Sequence, residues 1–177
     1  MEYITGIEQY NGKGKTAVTL GKFDGLHKGH QKLIEKICSY SNKDCKSVLC
    51  AFDMHREALM TKRERREYLD GKIDFLIEYP FTKELREMEA EVFIERILCK
   101  KLHASHIVVG SDFAFGYGKR GSIEMLEKFS AKKGYTLDVI EKERYDKAVI
   151  SSTYIREALS QGDMDLAAAL LGYPYSV

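Results

Sequence analysis

Phe23-Asp24-Gly25-Leu26-His27-Lys28-Gly29-His30 sets two histidines three positions apart, interleaved with glycines, just after the apolar run Ala17-Val18-Thr19-Leu20. Helical apolar spacing follows at Leu33, Ile34 and Ile37, so the pair falls where a strand gives way to a helix. Residues three apart are helix neighbours, which puts both imidazoles on one side of the first turn. A strand-to-helix turn also directs backbone N–H groups and the positive helix end toward whatever lies above the strand. Such a place suits an anionic ligand, most simply a nucleotide phosphate. Glycines at Gly21, Gly25 and Gly29 fit turns with positive φ and close approach of backbone to a ligand. A zinc site is the weaker reading, because a pair at i, i+3 supplies two ligands and no nearby cysteine or acidic partner completes the set.

Two more stretches carry chemistry. Val108-Val109-Gly110-Ser111-Asp112-Phe113-Ala114-Phe115-Gly116 runs from a buried strand into an aromatic, glycine-rich loop that ends at Lys119-Arg120. Aromatic faces stack on flat ligands, and a loop at the carboxyl end of a strand is where α/β folds bind them. At least one of Phe113 and Phe115 is expected to pack into the core. Ile150-Ser151-Ser152-Thr153-Tyr154-Ile155-Arg156 offers N-cap hydroxyls with a guanidinium one turn later, a combination suited to gripping a triphosphate.

Other motifs read more plainly. Gly12-Lys13-Gly14-Lys15-Thr16 has the look of a Walker A loop, but position 9 is Gln9 and Thr16 enters a strand rather than a helix. It reads as a surface turn. Lys62-Arg63-Glu64-Arg65-Arg66 reads as a solvated helix face, and His103 with His106 as structural residues at a helix-to-strand junction.

The elements that must position these groups alternate. Strand patterns cover Thr16–Leu20, Ser47–Phe52, Phe75–Glu78, His106–Gly110 and Thr136–Ile140, with helical patterns near 31–40, 63–69, 90–102 and 124–133. This order predicts an α/β fold, a Rossmann-like parallel sheet of about five strands with helices on both faces, and ligands beyond the carboxyl ends of the strands. The first of these strands carries the histidine motif and is expected at the edge of the switch in strand order. Two short helices close the chain: one capped at 151–153 and running through Leu159, the next capped by Asp163 and ended by Gly172.

Bulk composition narrows the class. The 177 residues include 28 basic and 27 acidic side chains, a net charge of +1, which gives no general attraction to nucleic acid or membrane. Any anion binding must be local. No linker or repeat divides the chain, so residues 1–177 read as one domain. Met1-Glu2-Tyr3-Ile4 does not begin a signal peptide, and Cys38, Cys45, Cys50 and Cys99 show no paired spacing. The expectation is a cytoplasmic protein with free thiols.

Together, G-x-F-D-G-x-H-x-G-H at 21–30, G-x-D-F-x-F-G at 110–116 and I-S-S-T-x-I-R at 150–156 resemble the FMN adenylyltransferase domain of prokaryotic FAD synthetases. That family lies in the nucleotidyltransferase superfamily named for its H-x-G-H motif, and Ala168-Ala169-Leu170-Leu171-Gly172-Tyr173-Pro174-Tyr175 resembles the segment where its domain ends. Three departures stand out. Lys22 replaces a residue that is often Asn or another small or neutral one, and Met54 and Arg56 replace both prolines of an F-D-P-H-P pattern. The usual enzyme also continues into a riboflavin kinase domain, which lies outside these 177 residues.

The resemblance implies transfer of AMP from ATP to FMN, giving FAD and pyrophosphate, with Mg²⁺ accompanying ATP. It implies catalytic roles for His27, His30 and Arg156, and an ATP cradle of Gly21, Phe23, Asp24, Gly29, Ser151, Ser152 and Thr153. FMN contacts would come from Asp112, Phe115, Phe52 and His55, and no metal ligands from the protein are implied. Two alternatives stay open on the residues: a related nucleotidyltransferase acting on another phosphorylated small molecule, and a non-catalytic flavin- or nucleotide-binding module.

Overall fold

In the computed structural model, which describes residues 1–42, 44–53 and 58–175, the predicted strands form one six-stranded parallel sheet. The strands are β1 (Glu2–Thr5), β2 (Lys15–Gly21), β3 (Cys45–Asp53), β4 (Phe75–Pro80), β5 (Ala104–Gly110) and β6 (Thr136–Ile140), in the order β1-β4-β3-β2-β5-β6. The sixth strand is β1, which pairs in parallel with β4 from Glu2 opposite Phe75 to Thr5 opposite Glu78. Four residues with one buried side chain, Ile4, carry too little periodicity to announce a strand. It exists because the exposed edge of β4 offers it a ladder.

The strand bearing the histidine motif is therefore second in the chain and interior, flanked by β3 and β5. The strand order reverses between β2 and β5, so the motif borders the switch point, as the sequence order implies. Every interior strand is buried on both sides, as a parallel sheet requires. Val18, Leu20, Val48, Cys50, Ile77, Tyr79, Ile107 and Val109 face one core, and Ala17, Leu49, Ala51, Leu76 and Val108 face the other.

The helices that cover these faces follow the sequence pattern. Helix α1 (Lys28–Tyr40) seals the second face with Leu33, Ile34 and Ile37, and α2 (Lys62–Leu69) adds Leu69 beside it. On the first face lie α3 (Lys83–Glu87), α4 (Ala90–Val92), which runs on as a π-helix over Phe93–Lys101, and α5 (Ile123–Lys133). The hairpin β7 (Arg144–Tyr145) and β8 (Ala148–Val149) returns the chain to α6 (Ser152–Ser160) and α7 (Met164–Leu171), which share their own apolar cluster around Ile155, Leu170 and Leu171. Among the described residues, no helix is long and apolar enough to cross a membrane.

The α2 face departs from the sequence expectation. Arg65 is buried at 6 % exposure, its Nη1 donating to both oxygens of Glu78 at 2.8 and 3.0 Å, with Glu78 1 % exposed. The run at 62–66 is thus not wholly solvated, because α2 turns one of its cations into the sheet. The cysteines carry no disulfide: Cys45 and Cys50 are buried, Cys38 and Cys99 partly so.

Candidate active site

The turn after β2 is unusually constrained. Phe23 (φ 47°), Gly25 (φ 78°) and Leu26 (φ 41°) all take positive φ, and only one of them is glycine. Left-handed backbone costs a bulky residue of order 1 kcal/mol or more, so the surroundings must enforce it. They do: Phe23 and Leu26 are fully buried, and each intervening group is tied down. The Leu59 amide donates to Asp24 Oδ1 at 2.7 Å, and Ser152 Oγ donates to the Asp24 carbonyl at 3.0 Å. Gln31 Nε2 donates to the carbonyls of Leu26 (2.9 Å) and Leu171 (2.7 Å), and the Tyr173 hydroxyl donates to the Gly25 carbonyl. The closing helices thus clamp the motif turn, a role for Gln31, Leu59 and Tyr173 that spacing alone does not reveal.

From this turn, His27 occupies the N-cap position of α1 without a side-chain capping bond, and His30 stands one turn later. Their rings stack with centroids 3.7 Å apart and planes at 19°. Gly29 makes room for the arrangement, since a Cβ there would lie 3.3 Å from the His27 ring. Phe23 supports the other side, 5.1 Å from His30, and Gly21 leaves space for the Phe23 ring. Both Nδ1 atoms are buried and have no hydrogen-bond partner among the described residues. Burial brings the His27 pKa down from 6.5 to about 4, although Asp24 pulls the other way. For His30 burial again dominates, with His27 and Arg65 pushing further down, and its pKa falls well below the usual range. Two neutral imidazoles with buried, unsatisfied nitrogens at a helix start are equipped to receive an anion and to gain charge as it arrives.

The third motif meets the first directly. Arg156 on α6 forms an ion pair with Asp24. Ser151 is the N-cap of α6, its Oγ accepting from the Tyr154 amide at 3.2 Å, while Ser152 is spent on the Asp24 carbonyl. Thr153 is exposed at the same helix start. The sequence pattern therefore brings Asp24, Ser152 and Arg156 together, but two of the three hydroxyls also hold structure.

The aromatic loop resolves its two phenylalanines. Phe115 is buried, packing 5.5 Å from Phe93 and 5.5 Å from Phe113, so it belongs to the core and not to an open wall. A two-way backbone bridge between Phe115 and Gly121 (3.1 and 2.8 Å) draws it inward, and Gly116 lies flush on Ala90. Phe113, partly buried and stacked on Phe115, is the ring nearer the surface. Asp112 is exposed and pairs with Lys142 at 2.8 Å. Phe52, partly buried at the end of β3, joins Tyr79 and Phe81 in a group with centroids 5.9 and 6.2 Å away. His55, with Met54 and Arg56, lies outside the described residues.

A family model described as FAD synthetase matches residues 10–154. Curated relatives include the bifunctional riboflavin kinase/FMN adenylyltransferase of Haemophilus influenzae, 33% identical, matched over 100% of this chain and 62% of that protein. The protein of the same description from Escherichia coli K12 is 30% identical, with 100% and 61% covered. The chain thus spans about three-fifths of the length of these relatives. Among solved structures, one described as a macrolide-efflux protein from Streptococcus pneumoniae superposes with a TM-score of 0.85 at 25% identity, covering 99% of this chain and 63% of that one. Pantothenate synthetase from Thermus thermophilus shares the fold, with a TM-score of 0.56 at 14% identity over 97% of this chain and 81% of its own.

Proposed function

The chain belongs to the FAD synthetase family, and from that premise we propose that it transfers the adenylyl group of ATP to FMN, giving FAD and pyrophosphate. The observation that carries the proposal is the stacked His27–His30 pair with unsatisfied buried nitrogens, joined through Asp24 to Arg156.

A terminal phosphate oxygen of FMN attacks the α-phosphorus of ATP. A new P–O bond forms as the bond to the β-phosphate oxygen breaks, and pyrophosphate leaves with the electron pair. A phosphate monoester has a second pKa near ~6, so the nucleophile is already largely ionised and needs no protein base. The barrier is repulsion between polyanions and charge accumulating on the leaving group. Catalysis then comes from positioning and from positive groups in place beforehand.

His27 and His30 donate hydrogen bonds to the ATP phosphates and gain proton affinity as negative charge arrives. Arg156, preset by Asp24, and the start of α6 with Ser151, Ser152 and Thr153 hold the outer phosphates. Gly21, Phe23 and Gly29 shape the floor. Among the described residues no three of His, Cys, Asp and Glu converge as a metal site. Mg²⁺ would enter with the substrate as MgATP and offset phosphate charge there. For FMN, Phe52, Asp112 and Phe113, backed by the buried Phe115, would supply the acceptor side, and the family resemblance assigns His55 to it as well. Residues 1–177 act in this reading as one nucleotidyltransferase unit, working in the cytoplasm where ATP and FMN are available.

The test is a panel: MgATP with FMN, riboflavin and other phosphorylated acceptors, followed by product chromatography. FAD formed from FMN alone supports the reading. Transfer to a different phosphorylated acceptor assigns a related nucleotidyltransferase, and bound flavin without turnover assigns a binding module.

A further inference from the structure

Within the histidine turn, Lys22 has no role in the proposed activity, and there the chain departs from its family's pattern by placing a cation at a position that is often neutral. Strand β2 ends at Gly21, opposite Ala51 of β3, so Lys22 comes level with Phe52, one strand spacing of ~4.8 Å away. On its other side the ladder to β5 stops sooner, at Thr19 opposite Val108, and the aromatic loop rises from the end of β5. Lys22 therefore stands at the mouth of the crevice where the strand order reverses.

Side chains alternate across the sheet along β2. Ala17 and, beyond the strand, Phe23 lie on the face of the histidines, whereas Val18 and Leu20 face the core that Phe52, Phe81 and Phe113 join. Alternation carried one residue past Gly21 puts Lys22 on this aromatic face. The two neighbours thus divide the site: Phe23 backs His30, and Lys22 faces the aromatic side.

Other cations around this edge are held by carboxylates: Lys62 by Asp53, Lys142 by Asp112, Arg65 by Glu78 and Arg156 by Asp24. Lys22 is exposed and forms no ion pair or side-chain hydrogen bond among the described residues. An acceptor phosphate monoester is largely a dianion at neutral pH, and it must approach the phosphates of ATP. A cation between the two offsets their repulsion, and an ammonium on a flexible stem suits a phosphate as a point charge.

We propose that Lys22 is the ligand for the phosphate monoester of the acceptor: Phe52 and Phe113 seat the flat ring, and the Lys22 ammonium takes the dianion and holds it against the α-phosphate at the histidines. Its effect on turnover rests on the adenylyl-transfer reading; its effect on flavin binding does not.

FMN and riboflavin differ by this phosphate alone, so their dissociation constants, read by flavin fluorescence, isolate the contact. The native chain should bind FMN more tightly than riboflavin, and high salt should narrow the gap. Lys22→Met should weaken FMN binding ~10-fold or more and leave riboflavin unchanged. Lys22→Arg, which keeps the charge, should retain most of the preference, and Lys22→Asn should lose it. Because the side chain is exposed, all three variants should melt with the native chain. In turnover, Lys22→Met should raise the KM for FMN and not that for ATP. Equal binding of the two flavins by the native chain overturns the proposal, as does a Lys22→Met variant that weakens both alike, weakens neither, or raises the KM for ATP alone. If the native chain makes FAD while any of these holds, only the role of Lys22 falls. If it makes no FAD but Lys22→Met abolishes its preference for FMN, the transfer reading falls and the phosphate site stands.

Discussion

The rings of His27 and His30 lie face to face, 3.7 Å between centroids, with both Nδ1 atoms buried and unpartnered among the described residues. Two imidazoles this close cannot both hold a proton cheaply, and burial already disfavours the first. The pair is therefore set neutral in the free protein, and in the proposed reaction the charge of the nucleotide would change its state.

Acid should weaken the fold through this pair. His27 has a folded pKa of about 4 against 6.5 unperturbed, so below pH 6.5 the unfolded chain binds more protons than the native one. Stability is then full above about pH 6.5 and declines as pH drops toward 4, by up to ~3 kcal/mol from this ring. Thermal unfolding of the native chain and of His27→Gln across that window measures it. The variant's profile is expected to be flatter; parallel profiles would contradict the assignment.

Nucleotide binding should take up protons. The triphosphate raises the histidine pKa values toward neutrality, so calorimetry of ATP binding at pH 6.5 in buffers of different ionisation enthalpy should show net proton uptake. His30→Ala, in which one transition-state donor is lost, should cut turnover ~10²-fold or more with the fold intact. Near-native turnover would remove the histidine from the mechanism.

Asp24 and Arg156 should act on ATP and not on FMN. Arg156→Ala removes the guanidinium at the start of α6, and Asp24→Asn keeps the oxygen that accepts from Leu59 while weakening the hold on Arg156. Both variants should raise the KM for ATP, the arginine variant more, with the KM for FMN little changed. An unchanged ATP dependence in Arg156→Ala would place the triphosphate elsewhere.

The aromatic loop should separate stability from binding. Phe115→Ala removes a buried ring packed on Phe93 and should cost ~3–5 kcal/mol. Gly116→Ala would set a Cβ 2.7 Å from Ala90 at φ 73°, so the loop must lift off its seat. That variant should lose FMN affinity more than ATP affinity, which flavin fluorescence quenching would report.

What the sequence discloses here follows from where the determinants lie. Local spacing marks β2, α1 and the α6 cap, so the histidine pair could be anticipated from adjacent residues, whereas the ion pair of Asp24 with Arg156 could not. Strand β1 could not, because its stability comes from the waiting edge of β4. Nor could the burial of Arg65, since six charged residues in a row, Lys62 to Glu67, look solvated until the partner carboxylate at 78 is seen across the sheet. Phe113 and Phe115 have the same pattern, and only the bridge to Gly121 decides which ring turns inward. The clamp formed by Gln31, Leu59 and Tyr173 joins segments up to 148 positions apart, as in Tyr173 to Gly25, a separation that local reading does not span.

The central claim is adenylyl transfer to FMN at the His27–His30 pair. Incubating the native chain and His30→Ala with FMN and MgATP, and quantifying FAD and pyrophosphate together, tests it most directly. The account predicts equimolar FAD and pyrophosphate from the native chain and a loss of ~10²-fold or more in the variant. Absence of FAD from the native chain, or equal rates from the two proteins, would contradict it.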